Sequence, residues 1–223
     1  MPSSIFPTPG RLLAVTAVLL IGSACGSEHV GPVTVVRVTA VGCGPVDRLA
    51  TGFAATPERV VTVAHSLRGT VGLSVDGAPA TLVALDHRSD LAVLAVSRHS
   101  SRVATVSFAG PEVGAAWLDR LDEGGIHRSE VSITKVAAID IDEPRDSARY
   151  RRDGLVATIA RERLVTSGDS GSPVIDQRGR VVGLVFATDR ETGNVAFATS
   201  AMEIEALLGT ARDEAVSSGP CDL

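Results

Sequence analysis

The sequence is poor in aromatic residues and contains a single lysine. Aromatic residues make up 3% of the 223 residues, and apart from Lys135 all basic side chains are arginines or histidines. The net charge of −5 argues against a nucleic-acid partner, because such binding requires a basic surface. With few rings available, aliphatic side chains must fill the core, and thirty residues are valine. Because β-branched residues favour strands, this composition argues against a helical bundle.

Long apolar segments are also lacking, apart from one short run near the N-terminus. Residues 12–21 are apolar and are followed by the small residues Gly22-Ser23-Ala24. The run is too short for a comfortable membrane span, and small residues after an apolar run are typical of a secretory cleavage site. We expect residues 1–24 to be a signal peptide, residues 25–32 a linker, and the protein to be exported.

Three cysteines are an odd number for an exported chain. Cys25 directly follows the small residues, as in a bacterial lipoprotein box, although Gly22 stands where such boxes usually carry leucine. Lipidation of Cys25, with attachment to the cell envelope, and simple cleavage after Ala24 with secretion therefore both stay open. If Cys25 is lipidated or removed with the leader, Cys43 and Cys221 are left to form a disulfide in an oxidising compartment. Two independent thiols are the alternative.

Short apolar runs broken by Gly, Pro, Asp and Ser predict two series of strands from residue 33 onward. The first series is Val33–Val41, Ala50–Ala55, Val60–Ala64, Thr70–Val75, Ala80–Leu85 and Leu91–Val96. The second series is Glu130–Ile139, Leu155–Ile159, Pro173–Asp176, Arg180–Ala187 and Asn194–Thr199. We interpret Ala109–Gly114 as the connection between two barrels and the charged Asp140–Ser147 as an exposed loop. A helix over Ser200–Leu208 should begin at its capping serine and end at Gly209.

Three segments carry the residue types of acyl-transfer chemistry, in the order His, Asp, Ser. His65 follows the apolar run Val60–Ala64, Asp90 precedes another, and Ser170 lies in a Gly-Asp-Ser-Gly turn. A serine hydroxyl is a weak nucleophile until an imidazole accepts its proton, and a carboxylate orients that imidazole. We therefore predict His65, Asp90 and Ser170 as catalytic residues. Glycines let the turn aim the backbone N–H groups of Gly168 and Ser170 at a developing oxyanion.

Each of these residues has an alternative interpretation. His65 could be an ordinary histidine at a strand end, and Asp76 or Asp86 could compete with Asp90. Close decoys for Ser170 are Ser167 and Ser172. The other four histidines have no metal-ligand spacing, so neither a metal nor another cofactor is expected; they are His29, His87, His99 and His127.

The segments Thr-Val-Ala-His65, Asp90-Leu-Ala-Val-Leu and Gly-Asp-Ser170-Gly-Ser-Pro resemble those of the trypsin/chymotrypsin-fold serine proteases. The bacterial HtrA-like branch is the most similar variety, and the likeness covers about residues 33–208. It implies an all-β, chymotrypsin-like fold of two antiparallel six-stranded β-barrels with a short C-terminal helix. The barrels would occupy residues 33–110 and 111–208, and residues 209–223 would form a tail. The triad would lie in the cleft between the barrels and cut a protein or peptide substrate.

The sequence also departs from these families. HtrA proteins usually append a peptide-binding PDZ domain, and we expect none in this sequence, which leaves no space for one after Leu208. Trypsin zymogens pair a freed Ile-Val terminus with the aspartate before the nucleophile, which is Asp169 in this sequence. Because no such Ile-Val start occurs near Val30, we expect Asp169 to find another partner or to lie near solvent. By family position, Leu164 is the base of the specificity pocket, and Gly183 and Val185 belong to one wall. An apolar base implies uncharged, apolar P1 side chains.

The resulting interpretation is an exported serine endopeptidase that acts through an acyl-enzyme. A latent or inactive protease-fold lipoprotein that serves as a binding module is the alternative, and hydrolysis of esters is a third possibility. An α/β-hydrolase is disfavoured because its triad runs Ser, Asp, His along the chain.

Overall fold

The computed structural model describes residues 32–42, 44–97, 103–122, 124–143, 148–159, 168–189 and 192–220. Among these residues, six antiparallel strands close a first barrel in the order β1-β2-β3-β6-β5-β4. These strands are β1 (Val35–Gly42), β2 (Arg48–Thr56), β3 (Arg59–Val63), β4 (Thr70–Val75), β5 (Ala78–Asp86) and β6 (Leu91–Val96). A 3₁₀ turn at His65–Leu67 follows β3. All six lie close to the runs that the sequence predicts.

Six further antiparallel strands in the described residues close a second barrel in the order β10-β11-β12-β9-β8-β7. They are β7 (Gly114–Asp122), β8 (Gly125–Glu143), β9 (Ala148–Thr158), β10 (Pro173–Asp176), β11 (Val181–Thr188) and β12 (Val195–Ser200). The expected all-β fold of two six-stranded barrels is thus confirmed. The helix is also confirmed, as α1 (Ala201–Thr210), with Ser200 accepting a hydrogen bond from Met202 N. Gly209 lies within this helix and does not end it.

Two expectations about the second barrel need correction. The strand β7 was not predicted, and the first half of the expected loop Asp140–Ser147 is strand. β8 continues to Glu143 and β9 begins at Ala148, with Glu143 paired to Ala148. The two strands form a long hairpin because their backbones stay in register well beyond the barrel wall. Residues 144–147 of the expected loop lie outside the described residues.

The two barrels share a core. One cluster of buried residues fills the first barrel with valine, alanine and leucine around Phe53, and it continues into Ile175, Leu184 and Phe186 of the second. The connection between the barrels is also hydrogen-bonded to both, through Val106 N to Ala55 O and Ala109 N to Val181 O, each at 3.0 Å. Contacts on both sides of the interface therefore fix how the two barrels face each other, which sets the position of any residues between them.

Candidate active site

His65 lies where the buried strand β3 ends, and Asp90 holds it at two points. The backbone N–H of His65 donates to Asp90 Oδ1 at 2.8 Å, and His65 Nδ1 lies 2.7 Å from Asp90 Oδ2. The Asp90 side chain is 11% exposed and the His65 ring is 42% exposed. A buried carboxylate thus occupies one ring nitrogen while the exposed part of the ring is left for another group. A carboxylate in such contact with Nδ1 can hold an imidazole in one tautomer.

Asp90 adopts a backbone conformation that is unusual for a residue other than glycine. Its φ of +56° lies in the left-handed region, which aspartate and asparagine tolerate better than most residues. Thr199 Oγ1 of the second barrel donates to the carbonyl of the preceding Ser89 at 2.8 Å. The competing Asp86 instead closes the β5–β6 turn, where it accepts hydrogen bonds from Arg88 N and Ser89 Oγ.

Ser170 lies in a tight turn between two glycines with positive φ. Gly168 has φ +114° and Gly171 has φ +97°. The turn is closed by Ser172 N donating to Asp169 O, and Gly171 N donates to Val185 O at 2.7 Å. Ser170 itself is half-buried, whereas Asp169 is buried, with 3% of its surface exposed. Asp169 therefore does not lie near solvent, which was one of its two expected environments.

The serine turn of the second barrel rests directly on the first barrel at Thr51 of β2. Thr51 N donates to Ser170 O at 2.9 Å, and Thr51 Oγ1 donates to Gly168 O at 2.7 Å. Thr62 Oγ1 of the neighbouring strand β3 donates in turn to Thr51 O at 2.7 Å. Because β3 also leads into His65, this chain of bonds connects the serine turn to the histidine. Sequence reasoning missed Thr51, since nothing in its local sequence marks it.

The hydroxyl of Ser170 forms no hydrogen bond with His65 among the contacts of the described residues. Catalytic hydrogen bonds of this kind are often long without substrate and tighten only when substrate binds. The firmly built parts of the site are the His65–Asp90 pair and the docked serine turn.

The predicted substrate pocket is only partly visible. Val185 is 1% exposed, and a Cβ added to Gly183 would lie 2.9 Å from Leu155 Cδ2 in the core of the second barrel. These two positions thus point into the barrel, and Val185 borders the serine turn through its backbone. Leu164 lies outside the described residues, as do residues 1–24, which were expected to be a signal peptide, and the three cysteines.

Two further pairs of charged groups among the described residues are Asp119 with Arg128 and Asp122 with His127. Asp119 is 3% exposed on its side chain and is held by Arg128 at 2.7 and 2.6 Å, which raises the pKa of Arg128. The backbone N–H of Gly124 lowers the pKa of the exposed Asp122, with a smaller effect from His127. No three His, Cys, Asp or Glu residues of the described part of the chain group as metal ligands. The helices found there lack the length and apolar character of a membrane span.

Two closed antiparallel barrels with a His–Asp pair on one and a Gly-Asp-Ser-Gly turn on the other define the chymotrypsin-like class of folds. A family model described as the trypsin-like peptidase domain matches residues 50–184, and the chain belongs to that family.

Named relatives agree with this assignment. The chain is 32% identical over 180 residues to the serine proteases MT3772 and Rv3671c of two Mycobacterium tuberculosis strains, CDC 1551 / Oshkosh and ATCC 25618 / H37Rv. The match covers 77% of this chain but 44% of those relatives, so the chain spans less than half of their length.

Similar crystal structures include two forms of the same M. tuberculosis protease. The Rv3671c protease in its active form is 25% identical with a TM-score of 0.72, over 99% of both chains. Its inactive form is 27% identical with a TM-score of 0.64, over 80% of this chain and 88% of that one. The HtrA-type protease AlgW with a tripeptide has a TM-score of 0.64 over 82% of this chain and 61% of that one, and at 16% identity it supports the fold alone.

Proposed function

We propose that the chain is a serine endopeptidase in which His65, Asp90 and Ser170 form the catalytic triad. The observation that carries the proposal is the double contact of Asp90 with the backbone and the ring of His65, beside a serine turn docked on the same barrel. Relatives named serine proteases support it, and so does the likeness to the active form of the Rv3671c protease.

In the proposed mechanism Ser170 Oγ attacks the carbonyl carbon of the scissile peptide bond. His65 takes the hydroxyl proton, and Asp90 stabilises the imidazolium that forms. Collapse of the tetrahedral intermediate breaks the C–N bond, and His65 returns the proton to the leaving amine. An acyl-enzyme on Ser170 remains. His65 then removes a proton from water, whose attack on the ester releases the carboxylic acid and restores the serine.

The developing oxyanion would be held by the backbone N–H groups of Gly168 and Ser170. Both residues lie in the turn that Thr51 anchors, because the carbonyl oxygens of the same two residues accept its two hydrogen bonds. Fixing the carbonyls restricts rotation of the turn, so its donors need little reorganisation during the reaction. Removal of one such donor typically raises a barrier by about 3–4 kcal/mol.

The proposed substrate is a protein or peptide with an uncharged, apolar P1 side chain. Leu164 would form the base of the pocket, which is the reason for the apolar preference. A set of peptide substrates that vary only at P1, with leucine, phenylalanine, lysine and aspartate, tests this preference. Faster cleavage after lysine than after leucine would contradict it.

We also propose export to the cell envelope, with residues 1–24 removed and Cys25 lipidated or left as the first residue. Intact-mass analysis of the protein from the producing cell distinguishes the two forms, because a lipid adds several hundred daltons that a Cys25→Ala variant cannot carry. Recovery of the uncleaved chain from the cytoplasm would overturn export.

The proposed Cys43–Cys221 disulfide is supported by the described neighbours of both cysteines. Gly42 pairs with Thr70 across β1 and β4. Ser218 accepts a hydrogen bond on Oγ from Thr70 N at 2.9 Å, and its carbonyl accepts one from Gly69 N at 3.2 Å. Both ends of the folded chain therefore approach the start of β4. Non-reducing peptide mapping that recovers the two cysteines as separate alkylated thiols would contradict the bridge.

The deciding experiment is labelling of the purified protein with a fluorophosphonate probe. Labelling should be absent from the Ser170→Ala and His65→Ala variants. It should persist in Ser172→Ala, because Ser172 lies two residues away with a buried hydroxyl that has no hydrogen-bond partner. A folded wild type that does not label would favour the latent binding module. Labelling with ester cleavage but no peptide cleavage would favour an esterase.

A further inference from the structure

Arg152 of β9 is a buried cation beside the His65–Asp90 pair. Its side chain is 4% exposed, and its Nη1 atom lies 4.0 Å from Asp90 Oδ2. That oxygen is the one that lies 2.7 Å from His65 Nδ1. A histidine of the first barrel and an arginine of the second therefore approach the same carboxylate oxygen.

The strand pairing and an aromatic ring hold Arg152 in this place. Its neighbours Arg151 and Asp153 are exposed, since alternate residues of a strand face opposite sides. The guanidinium carbon lies 4.5 Å from the centre of the Phe186 ring, a distance typical of a cation–π contact. Phe186 is itself 7% exposed and belongs to the core shared by the barrels. The side chain is thus confined between Phe186 and Asp90.

A buried arginine is costly unless it is compensated, because its charge loses the solvation of water. Asp90 supplies part of the compensation and Phe186 another part. If the role were packing alone, a methionine or leucine would fill the same space beside Phe186 without that cost. A cation at this position therefore indicates an electrostatic contribution to the site.

We propose that Arg152 is a positioning residue of the triad, which fixes the Asp90 carboxylate and offsets part of its charge. This inference rests on the proposed function of His65, Asp90 and Ser170. A carboxylate shared with a cation stabilises the imidazolium of His65 less strongly than a free one would. Removal of Arg152 should therefore strengthen the attraction between Asp90 and the imidazolium, and the enzyme should lose activity at a higher pH on the acidic side.

The other charged groups near Arg152 carry both signs and are more exposed to solvent than Arg152 is. A cleft of about 210 Å³ beside Ser89 is lined by Arg152 together with two acidic and two basic side chains. These are Asp86 and Arg88 of the β5–β6 turn, Arg151 of β9 and Glu203 of α1. Removal of Arg152 consequently changes the field at Asp90 mainly by one positive charge.

The test compares Arg152→Met and Arg152→Lys with the wild type in the full chain. Both kcat and KM for one peptide substrate are measured from about pH 5 to pH 9. Arg152→Met should lower kcat by roughly tenfold with little change in KM. It should also move the acidic limb of the kcat/KM profile to higher pH by about half a unit to one unit. Arg152→Lys, which keeps the charge, should restore the limb.

The matched control is Arg151→Met, which removes the same charge from the next residue. Arg151 is 73% exposed on its side chain and only 3.9 Å from the exposed Asp140, so its removal should leave the profile unchanged. A limb that does not move in Arg152→Met, or that Lys fails to restore, would overturn the proposal.

A second readout covers the case in which Arg152→Met does not fold. The pH midpoint of the His65 ring signals, followed by NMR in Ser170→Ala and in Ser170→Ala/Arg152→Lys, reports the same charge balance without turnover. We expect similar pH midpoints in these two proteins and a higher pH midpoint in Ser170→Ala/Arg152→Gln. Equal midpoints in all three would overturn the proposal. An inactive wild type would instead show that the proposed function fails.

Discussion

Asp90 binds His65 twice, with one carboxylate oxygen on the backbone N–H and the other on the ring Nδ1. The same residue has a positive φ of +56°. Asp90 must therefore supply a carboxylate to His65 and also adopt a positive φ. Two substitutions distinguish these two requirements. Asparagine keeps the shape and tolerates positive φ, whereas alanine loses both advantages.

We predict that Asp90→Asn folds with nearly wild-type stability but loses kcat by about 10³–10⁴-fold. The amide cannot both accept the backbone N–H and stabilise an imidazolium as a carboxylate does. Asp90→Ala should lose similar activity and also unfold at lower denaturant concentration. Turnover of a peptide ester and urea unfolding check the pair. Wild-type kcat in Asp90→Asn would remove Asp90 from the triad.

The second prediction concerns Thr51, whose hydroxyl joins the barrels at Gly168 O. Thr51→Val keeps the volume and the backbone N–H bond to Ser170 O but removes the hydroxyl bond. We expect kcat to fall by about fivefold, since the net value of one such hydrogen bond is about 1 kcal/mol. Thr51→Ser should retain most of the activity. A matched loss in Thr51→Ser would show that the methyl group, not the hydroxyl, holds the turn.

A third prediction separates two glycines of the serine turn. A Cβ at Gly171 would lie 1.7 Å from Thr51 O, whereas a Cβ at Gly168 would meet nothing within 4 Å. Both residues have positive φ, so alanine strains either position, but only Gly171→Ala also forces the barrels apart. Gly171→Ala should abolish fluorophosphonate labelling and lower the melting temperature, and Gly168→Ala should remain folded with slower labelling. The reverse order of stabilities would contradict this account.

The strand β7 was missed because its sequence contains a buried charged residue, whose ion-pair partner lies on another strand. β7 carries the charged residues Asp119 and Arg120 and does not alternate cleanly between apolar and polar positions. Asp119 is nevertheless buried, because Arg128 on the paired strand β8 meets both of its oxygens. The strand β9 also begins with several charged residues, so its local sequence does not predict that Arg152 is buried. In both cases the residue that makes burial possible lies on another strand and cannot be identified from local sequence.

The residues of the candidate site also fall into two groups, those that local sequence predicts and those that it does not. His65, Asp90 and Ser170 were found because each lies in a short, recognisable segment. Thr51 and Arg152 were not, because their partners lie in the other barrel and are distant in sequence: 117 residues separate Thr51 from Gly168. Such contacts depend on how two closed barrels meet. Local motifs thus predict the candidate catalytic groups, and the packing of the barrels determines which distant residues contact them.

The last prediction concerns acid stability and Asp176, which closes the β10–β11 turn after the serine. Its Oδ1 accepts hydrogen bonds from Arg178 N and Arg180 N at 2.8 and 2.9 Å, and its Oδ2 accepts one from Arg180 Nε at 2.7 Å. Burial raises the pKa of Asp176, but the hydrogen bonds from Arg180 and Arg178 outweigh it and lower the pKa overall. The folded protein thus binds this proton more weakly than the unfolded chain does.

The resulting stabilisation is present above the unfolded pKa of about 3.9 and is lost as the pH falls through the lower folded value. We expect Asp176→Asn to lower the free energy of unfolding by about 1–2 kcal/mol at pH 7. The difference from wild type should shrink steadily below about pH 4. Urea titrations between pH 2.5 and 7 measure it, with Asp213→Asn as control because the Asp213 side chain is 90% exposed. A difference that stays constant over this range would show that the amide fails sterically, and that the charge of Asp176 does not stabilise the turn.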